Sequence, residues 1–167
     1  MTNRRNSRPP RQMICLIGEA LLLVCACVSY ANSETISFPA DGRYILAVGE
    51  GRRLLHPCSR QTPKHSSAYW EPTDRDIDKL ERGLLPYLNS LAMNGAVLPP
   101  AQPYDRQYIG ITQKGRRLIY INFFPIEFRA YDPLHEVIDI CDGGPKHWGL
   151  LFDPKRRVFS DLFLNRS

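Results

Sequence analysis

Asp132, His135 and Glu136 stand within five positions of one another, and His147 follows shortly after. Two carboxylates around an imidazole are what a proton shuttle or a divalent metal site uses, because histidine titrates near neutrality. A second set, His56, Cys58 and His65 with Cys141 and His147, offers imidazole and thiolate ligands, but its spacings match no standard zinc module. Asp74, Asp76 and Asp78 invite a calcium reading; the same acids are what the first turn of a helix carries against its positive end. The economical reading of each set is structural: hydrogen-bonded scaffolding for the acid–histidine trio, a capped and solvated turn for the aspartates. No Gly-x-Ser-x-Gly, His-Glu-x-x-His, phosphate-loop or dinucleotide fingerprint occurs in the chain, so no cofactor, metal or catalytic residue is expected.

The N-terminus bounds the compartment. Arg4, Arg5, Arg8 and Arg11 precede an apolar run from Met13 to Tyr30 whose longest clean piece is Ala20 to Val28. Ser29-Tyr30-Ala31 places small residues at −3 and −1 of a cut after Ala31, the pattern of a cleaved secretory signal over residues 1–31. Two alternatives share the same residues. The run from Met13 to Ala31 just reaches membrane-spanning length with Glu19 as its one charge. Val24-Cys25-Ala26-Cys27 loosely resembles a bacterial lipobox, with Cys27 as the lipidated residue. Removal of the leader lowers the basic count from 22 to 18 and the acidic count from 17 to 16, so net charge falls from +5 to +2. A nucleic-acid partner loses its main support, and membrane contact is expected only through the leader or a lipid on Cys27. The remaining 136 residues suffice for one domain over 43–167, preceded by a flexible segment over 32–42.

Cys15, Cys25 and Cys27 lie in the leader, which leaves Cys58 and Cys141. An even pair in an exported chain predicts a disulfide.

The elements that must hold these residues are readable in outline. Arg43 to Val48 has strand-like content, Arg52 to Cys58 suggests a second short strand, and Ser59 to Ser67 reads as a surface loop. Thr73 is a good N-cap with Asp76 as the capping-box acid. Ile77, Leu80, Leu84, Leu88 and Leu91 then mark one face of a helix of about five turns. Pro86 predicts that this helix is kinked or broken. Tyr104 to Thr112 and Arg116 to Phe124 form a hairpin through Gln113-Lys114-Gly115. In its second arm Leu118, Tyr120, Asn122 and Phe124 alternate with Ile119, Ile121 and Phe123; both faces are largely apolar, which places that strand centrally with helix on one side. The basic and aromatic stretch KGRRLIYINFF resembles an RNA-binding strand only faintly, with the wrong aromatic spacing. Pro125 to Leu134 reads as an aromatic and charged crossing loop. Glu136 to Cys141, His147 to Asp153 and Arg157 to Leu164 read as three consecutive strands, separated at Asp142-Gly143-Gly144-Pro145 and Pro154-Lys155-Arg156.

Trp70-x-Pro72-Thr73 before a leucine-rich helix, Tyr108-x-Gly110, Tyr120-Ile121-Asn122, Cys141-Asp142-Gly143-Gly144, Trp148-Gly149, Asp153-Pro154 and Phe159 together resemble uncharacterised small exported proteins of proteobacteria, over about residues 70 to 165. The resemblance implies an envelope or secreted protein with one helix and an antiparallel meander, and carries no active site with it. The expected fold is α+β: one main helix packed on an antiparallel sheet of four to five strands, with a cystatin-like or NTF2-like outline. Both outlines host inhibitors, binders and enzymes. The expected function is a non-enzymatic binding or inhibitor-type protein, periplasmic or secreted, whose partner is another envelope or secreted protein. Phe128, Arg129, Tyr131 and Asp132 are the expected interface, since tyrosine and arginine are favoured there. The alternatives are a small envelope enzyme or metal binder using Asp132, His135, Glu136 and His147, and a structural outer-membrane lipoprotein anchored at Cys27.

Overall fold

The computed structural model describes residues 35–64 and 66–165. The expected leader with its cut after Ala31, the alternative lipidation at Cys27, and His65 fall outside these residues. Six strands make one mixed sheet: β1 (Arg43–Ile45), β2 (Ala68–Trp70), β3 (Tyr104–Gln113), β4 (Arg116–Pro125), β5 (Trp148–Asp153) and β6 (Val158–Leu164). Strands β3 to β6 run as an antiparallel meander, and β1 and β2 share the outer edge of β3. The α+β class therefore holds, with two corrections. The sheet has six strands, and β1 pairs parallel to β3, Tyr44 opposite Gln107.

Among the described residues the α-helical pieces are a four-residue turn, α1 (Gly51–Leu54), and the long helix α2 (Asp74–Met93). Helix α2 begins as its capping signature requires: the Thr73 hydroxyl accepts from the Asp76 backbone N–H and donates to its carboxylate at 2.7 Å. It buries Ile77, Leu80, Leu84 and Leu88. It is neither broken nor split at Pro86, because Pro86 and Arg82, whose carbonyl loses the partner that proline cannot supply, both lie on the exposed face. Gly95, with φ +74°, ends the helix, and the Ala96 N–H returns to the Leu91 carbonyl.

The hairpin turns through Lys114 and Gly115, both with positive φ, the two-residue geometry that matches the twist of the flanking strands. As the alternation of β4 predicts, that strand is central and buried on both faces. Ile119, Ile121 and Phe123 meet α2 together with Tyr104, Tyr108, Trp148, Leu150 and Phe152. Phe123 and Trp148 stack with ring centroids 3.5 Å apart. On the opposite face Leu118 and Tyr120 pack with Ile109, Ile111 and Leu151 under Leu46, Leu54 and Leu55.

Three segments differ from their sequence reading. Arg52 to Cys58 is not a strand; Leu54 and Leu55 turn inward from α1 to cap the second core. The segment read as flexible is tied down over its described part: Ser37 bridges to Pro103, and Ile36 and Phe38 pack on the first core. Glu136 to Cys141 alternates like a strand yet joins no ladder. It lies over the sheet face, where side-chain amides replace a neighbouring strand. Gln107 Nε2 donates to the carbonyls of Pro133 and Glu136, the Ile138 N–H donates to Gln107 Oε1, and Asn122 Nδ2 donates to the Ile138 carbonyl at 2.8 Å. Buried backbone groups must be paired, and two amides on β3 and β4 do that work here.

Candidate functional site

Cys58 and Cys141 are disulfide-bonded, with Cα atoms 5.1 Å apart. The expected bridge is present, and it removes both thiolates from the zinc-type reading. Around it lies a buried polar layer that the sequence did not announce. Arg60 donates from Nε to the Tyr120 hydroxyl at 3.1 Å, from Nη1 to Asn165 Oδ1 at 3.2 Å, and from Nη2 to Asn122 Oδ1. Asn165 in turn donates to Ser59 Oγ and the Ile140 carbonyl. All three acceptors of Arg60 are neutral oxygens, so the guanidinium is held by dipoles. All three guanidinium nitrogens donate into the protein, which makes this layer a scaffold that fixes the disulfide-bearing segments on the sheet.

The four residues of the catalytic or metal reading are placed in two different settings. Asp132 takes a left-handed conformation, φ +53°, at the end of the 3-10 helix Ile126–Tyr131, and accepts the backbone N–H groups of His135 and Glu136 through its carbonyl. Its carboxylate meets His135 Nδ1 at 2.9 Å, but both side chains are more than three-fifths exposed, so the pair is screened and weak. Glu136 contributes its carbonyl to Gln107. His147 is buried instead, only 2% exposed, with its ring edge-on to Phe128 at 5.1 Å. Among the described residues no three His, Cys, Asp or Glu side chains are placed to hold one metal ion.

Burial, and then the nearby Arg60 charge, push the His147 imidazole down to about 4. Its pKa in the unfolded chain is near 6.5, so the native state holds it neutral where the unfolded state takes up a proton. Its stabilising contribution is complete above pH 6.5 and is lost as pH falls toward 4, by about 1.4 kcal/mol per unit. Stability measured by urea denaturation should therefore fall between pH 6.5 and 4.5 more steeply for the native protein than for His147→Gln. Equal slopes would show that His147 is protonated in the folded state.

The expected interface segment is a rigid one. Arg129 donates to Asp105 at 2.5 and 2.8 Å and to Asp41 at 2.9 and 3.1 Å, and Asp105 is itself fully buried. Phe128 stacks with Tyr131 and meets the His147 ring edge-on. Arg129 and Phe128 thus anchor the loop, while Tyr131, 59% exposed, points outward with Ile126 and Leu134 at 36% and 49%.

At the other end of β4, about 30 Å away by strand rise, sequence reasoning overlooked a cleft of about 460 Å³. Trp70, Arg116, Arg117, Lys155 and Arg156 line it, with Asp76 and Asp153. Its cations come from two turns nearly forty residues apart in sequence. Antiparallel register brings them together, since Ile119 opposes Phe152 and the β3–β4 and β5–β6 turns fall at the same sheet end. The signal was available in the basic runs Lys114-Gly115-Arg116-Arg117 and Lys155-Arg156-Arg157.

Among the described residues no helix is long and apolar enough to cross a membrane. Compared with protein-family models, curated proteins and solved structures, the chain matches none.

Proposed function

We propose that the chain is an exported, non-enzymatic binding protein of the bacterial periplasm or exterior, engaging another envelope or secreted protein through the loop over 126–134. One observation carries the reading: this single loop exposes Ile126, Tyr131 and Leu134 while Arg129, Asp105 and Phe128 fix its backbone. Apolar and aromatic side chains held outward on an anchored loop bind at low entropic cost, because little ordering remains to be done on association. The Cys58–Cys141 bridge supports an oxidising compartment, where disulfides persist. A helix laid across an antiparallel meander, in the manner of cystatin-like and NTF2-like scaffolds, supports a binder or inhibitor built on loops at the sheet ends.

The test is a pull-down from periplasmic extract with the native protein and with Tyr131→Ala/Leu134→Ala. Truncating two exposed side chains should leave stability within about 0.5 kcal/mol. Partner recovery should fall by about tenfold or more, as expected when an interface anchor is removed. Equal recovery of the same partner by both proteins would remove the loop from the interface.

A further inference from the structure

We propose that the cleft between the two hairpin turns is a second binding site, one that takes a phosphate group carried on a small molecule or a lipid headgroup. Its floor is built. Trp70 donates from Nε1 to the Ile111 carbonyl at 3.0 Å and lies flat across β3 at Gly110, where any Cβ would run into the indole. The Arg117 guanidinium sits over the indole face, 3.8 Å from the ring centroid. This contact uses none of the guanidinium's N–H donors, which make no side-chain hydrogen bond among the described residues and are the groups that pair with phosphate oxygens in bidentate fashion.

The walls carry charge with no internal partner. Arg116, Arg117, Lys155 and Arg156 line the cleft, Lys114 and Arg157 stand on the same two turns, and all six are exposed. None of the six forms an ion pair or a side-chain hydrogen bond among the described residues. Four arginines elsewhere in the fold, Arg43, Arg53, Arg106 and Arg129, each have a carboxylate partner, whereas the exposed Arg52, Arg75 and Arg82 have none among the described residues and stand singly rather than around one cleft. The two acids that line the cleft are both engaged. Asp153 Oδ1 accepts the backbone N–H groups of Lys155 and Arg156 at 3.0 and 2.9 Å, which shapes the second turn. Asp76 is held by Thr73 and Lys79. Four converging cations around a pocket of this size suit a compact group carrying two charges better than a single carboxylate, which one bidentate arginine satisfies. Like charges gathered without partners cost stability, and a phosphate bridging them removes that cost.

The two tryptophans of the chain supply the measurement. Trp148 is fully buried against Phe123, whereas Trp70 is only partly buried and lines the cleft, so a fluorescence change on ligand addition reports the cleft. The full chain, purified in its disulfide-bonded form, is titrated at constant ionic strength with pyrophosphate, with citrate, and with phosphatidylcholine vesicles with and without phosphatidic acid. A saturable change with pyrophosphate is expected for a soluble phosphoester, and one with phosphatidic acid vesicles alone for a lipid headgroup; either supports the phosphate site. Lys155→Gln/Arg156→Gln alters only exposed side chains without partners and should weaken binding by about tenfold or more. Arg117→Gln should do the same, and Arg82→Gln, on the exposed face of α2, should change nothing. Equal affinity for citrate, a response retained in Lys155→Gln/Arg156→Gln, or no saturable response to either phosphate probe would overturn the proposal.

Discussion

Glu81→Ala should destabilise the protein by about 3–5 kcal/mol, the cost of leaving a buried charge without its partner. Arg106 projects from β3 into the junction with α2, its side chain fully buried. Glu81 meets it from the helix, Oε2 at 2.6 Å from Nη2 and Oε1 at 3.3 Å from Nε. The Tyr108 hydroxyl closes the cluster, donating to Glu81 Oε1 at 2.5 Å and accepting from Arg106 Nε at 3.1 Å. Arg106 Nη1 reaches the carbonyls of Pro39 and Tyr104, and the guanidinium lies over Phe38. All three guanidinium nitrogens thus have partners, and one carboxylate offsets the charge. Removing it strands a desolvated guanidinium between helix and sheet and loosens the N-terminal segment hung on Pro39. Glu81→Gln keeps hydrogen-bonding capacity without the charge and should fall between the two. Glu81→Met/Arg106→Met removes both charges together and should recover most of the loss, since apolar replacement of a buried pair is often close to neutral. Urea denaturation of the four proteins checks this. A cost below about 1 kcal/mol for Glu81→Ala would show that water reaches Arg106.

The parts of this fold that the sequence announces are those specified by neighbours along the chain. Ile77, Leu80, Leu84 and Leu88 recur at helical spacing, and Lys114-Gly115 turns a hairpin whose arms both alternate; both elements form where periodicity puts them. Pairing between distant segments is another matter. Strand β1 is three residues long, and nothing in Arg43-Tyr44-Ile45 states that it runs parallel to β3. Glu136 to Cys141 has a strand's alternation because Ile138 does face inward. What it lacks is a strand neighbour, and Gln107 and Asn122, which stand in for one, read locally as polar residues interrupting a buried face. Arg60 gives no local signal either, sitting in a hydrophilic stretch that reads as surface, yet its guanidinium is buried on Tyr120 and Asn122. The same holds for the cleft. Each basic turn alone reads as a solvated loop tip, and only the β4–β5 register turns the two into one pocket around Trp70. The Cys58–Cys141 bridge was legible for a reason of counting: three of the five cysteines fall in the stretch that reads as a leader, and setting them aside leaves one pair.

Reduction of that disulfide should lower stability by about 2–5 kcal/mol, and Cys58→Ser should reproduce the loss. The bridge spans 83 positions, so opening it returns a large amount of chain entropy to the unfolded state. The native state depends on it for a further reason. The segments it joins, residues 56–64 and 136–143, belong to no strand or α-helix. They are held by the Cys58 N–H to Asp139 Oδ2 at 3.3 Å, by Asn165 bridging Ser59 and Ile140, and by the amides of Gln107 and Asn122. Each of these bonds contributes about 1 kcal/mol at most, and each depends on both segments staying in place over the sheet. Without the covalent tie the layer should open locally before the meander unfolds, letting water reach Arg60 and Tyr120. Hydrogen exchange separates this from uniform weakening: on reduction the Ile138 amide should lose far more protection than Ile121 in the central strand β4. If protection falls equally at both, the bridge acts only on the unfolded chain. If the urea midpoint is unchanged on reduction, the side-chain bonds alone hold these segments on the sheet, and the disulfide is incidental to the fold.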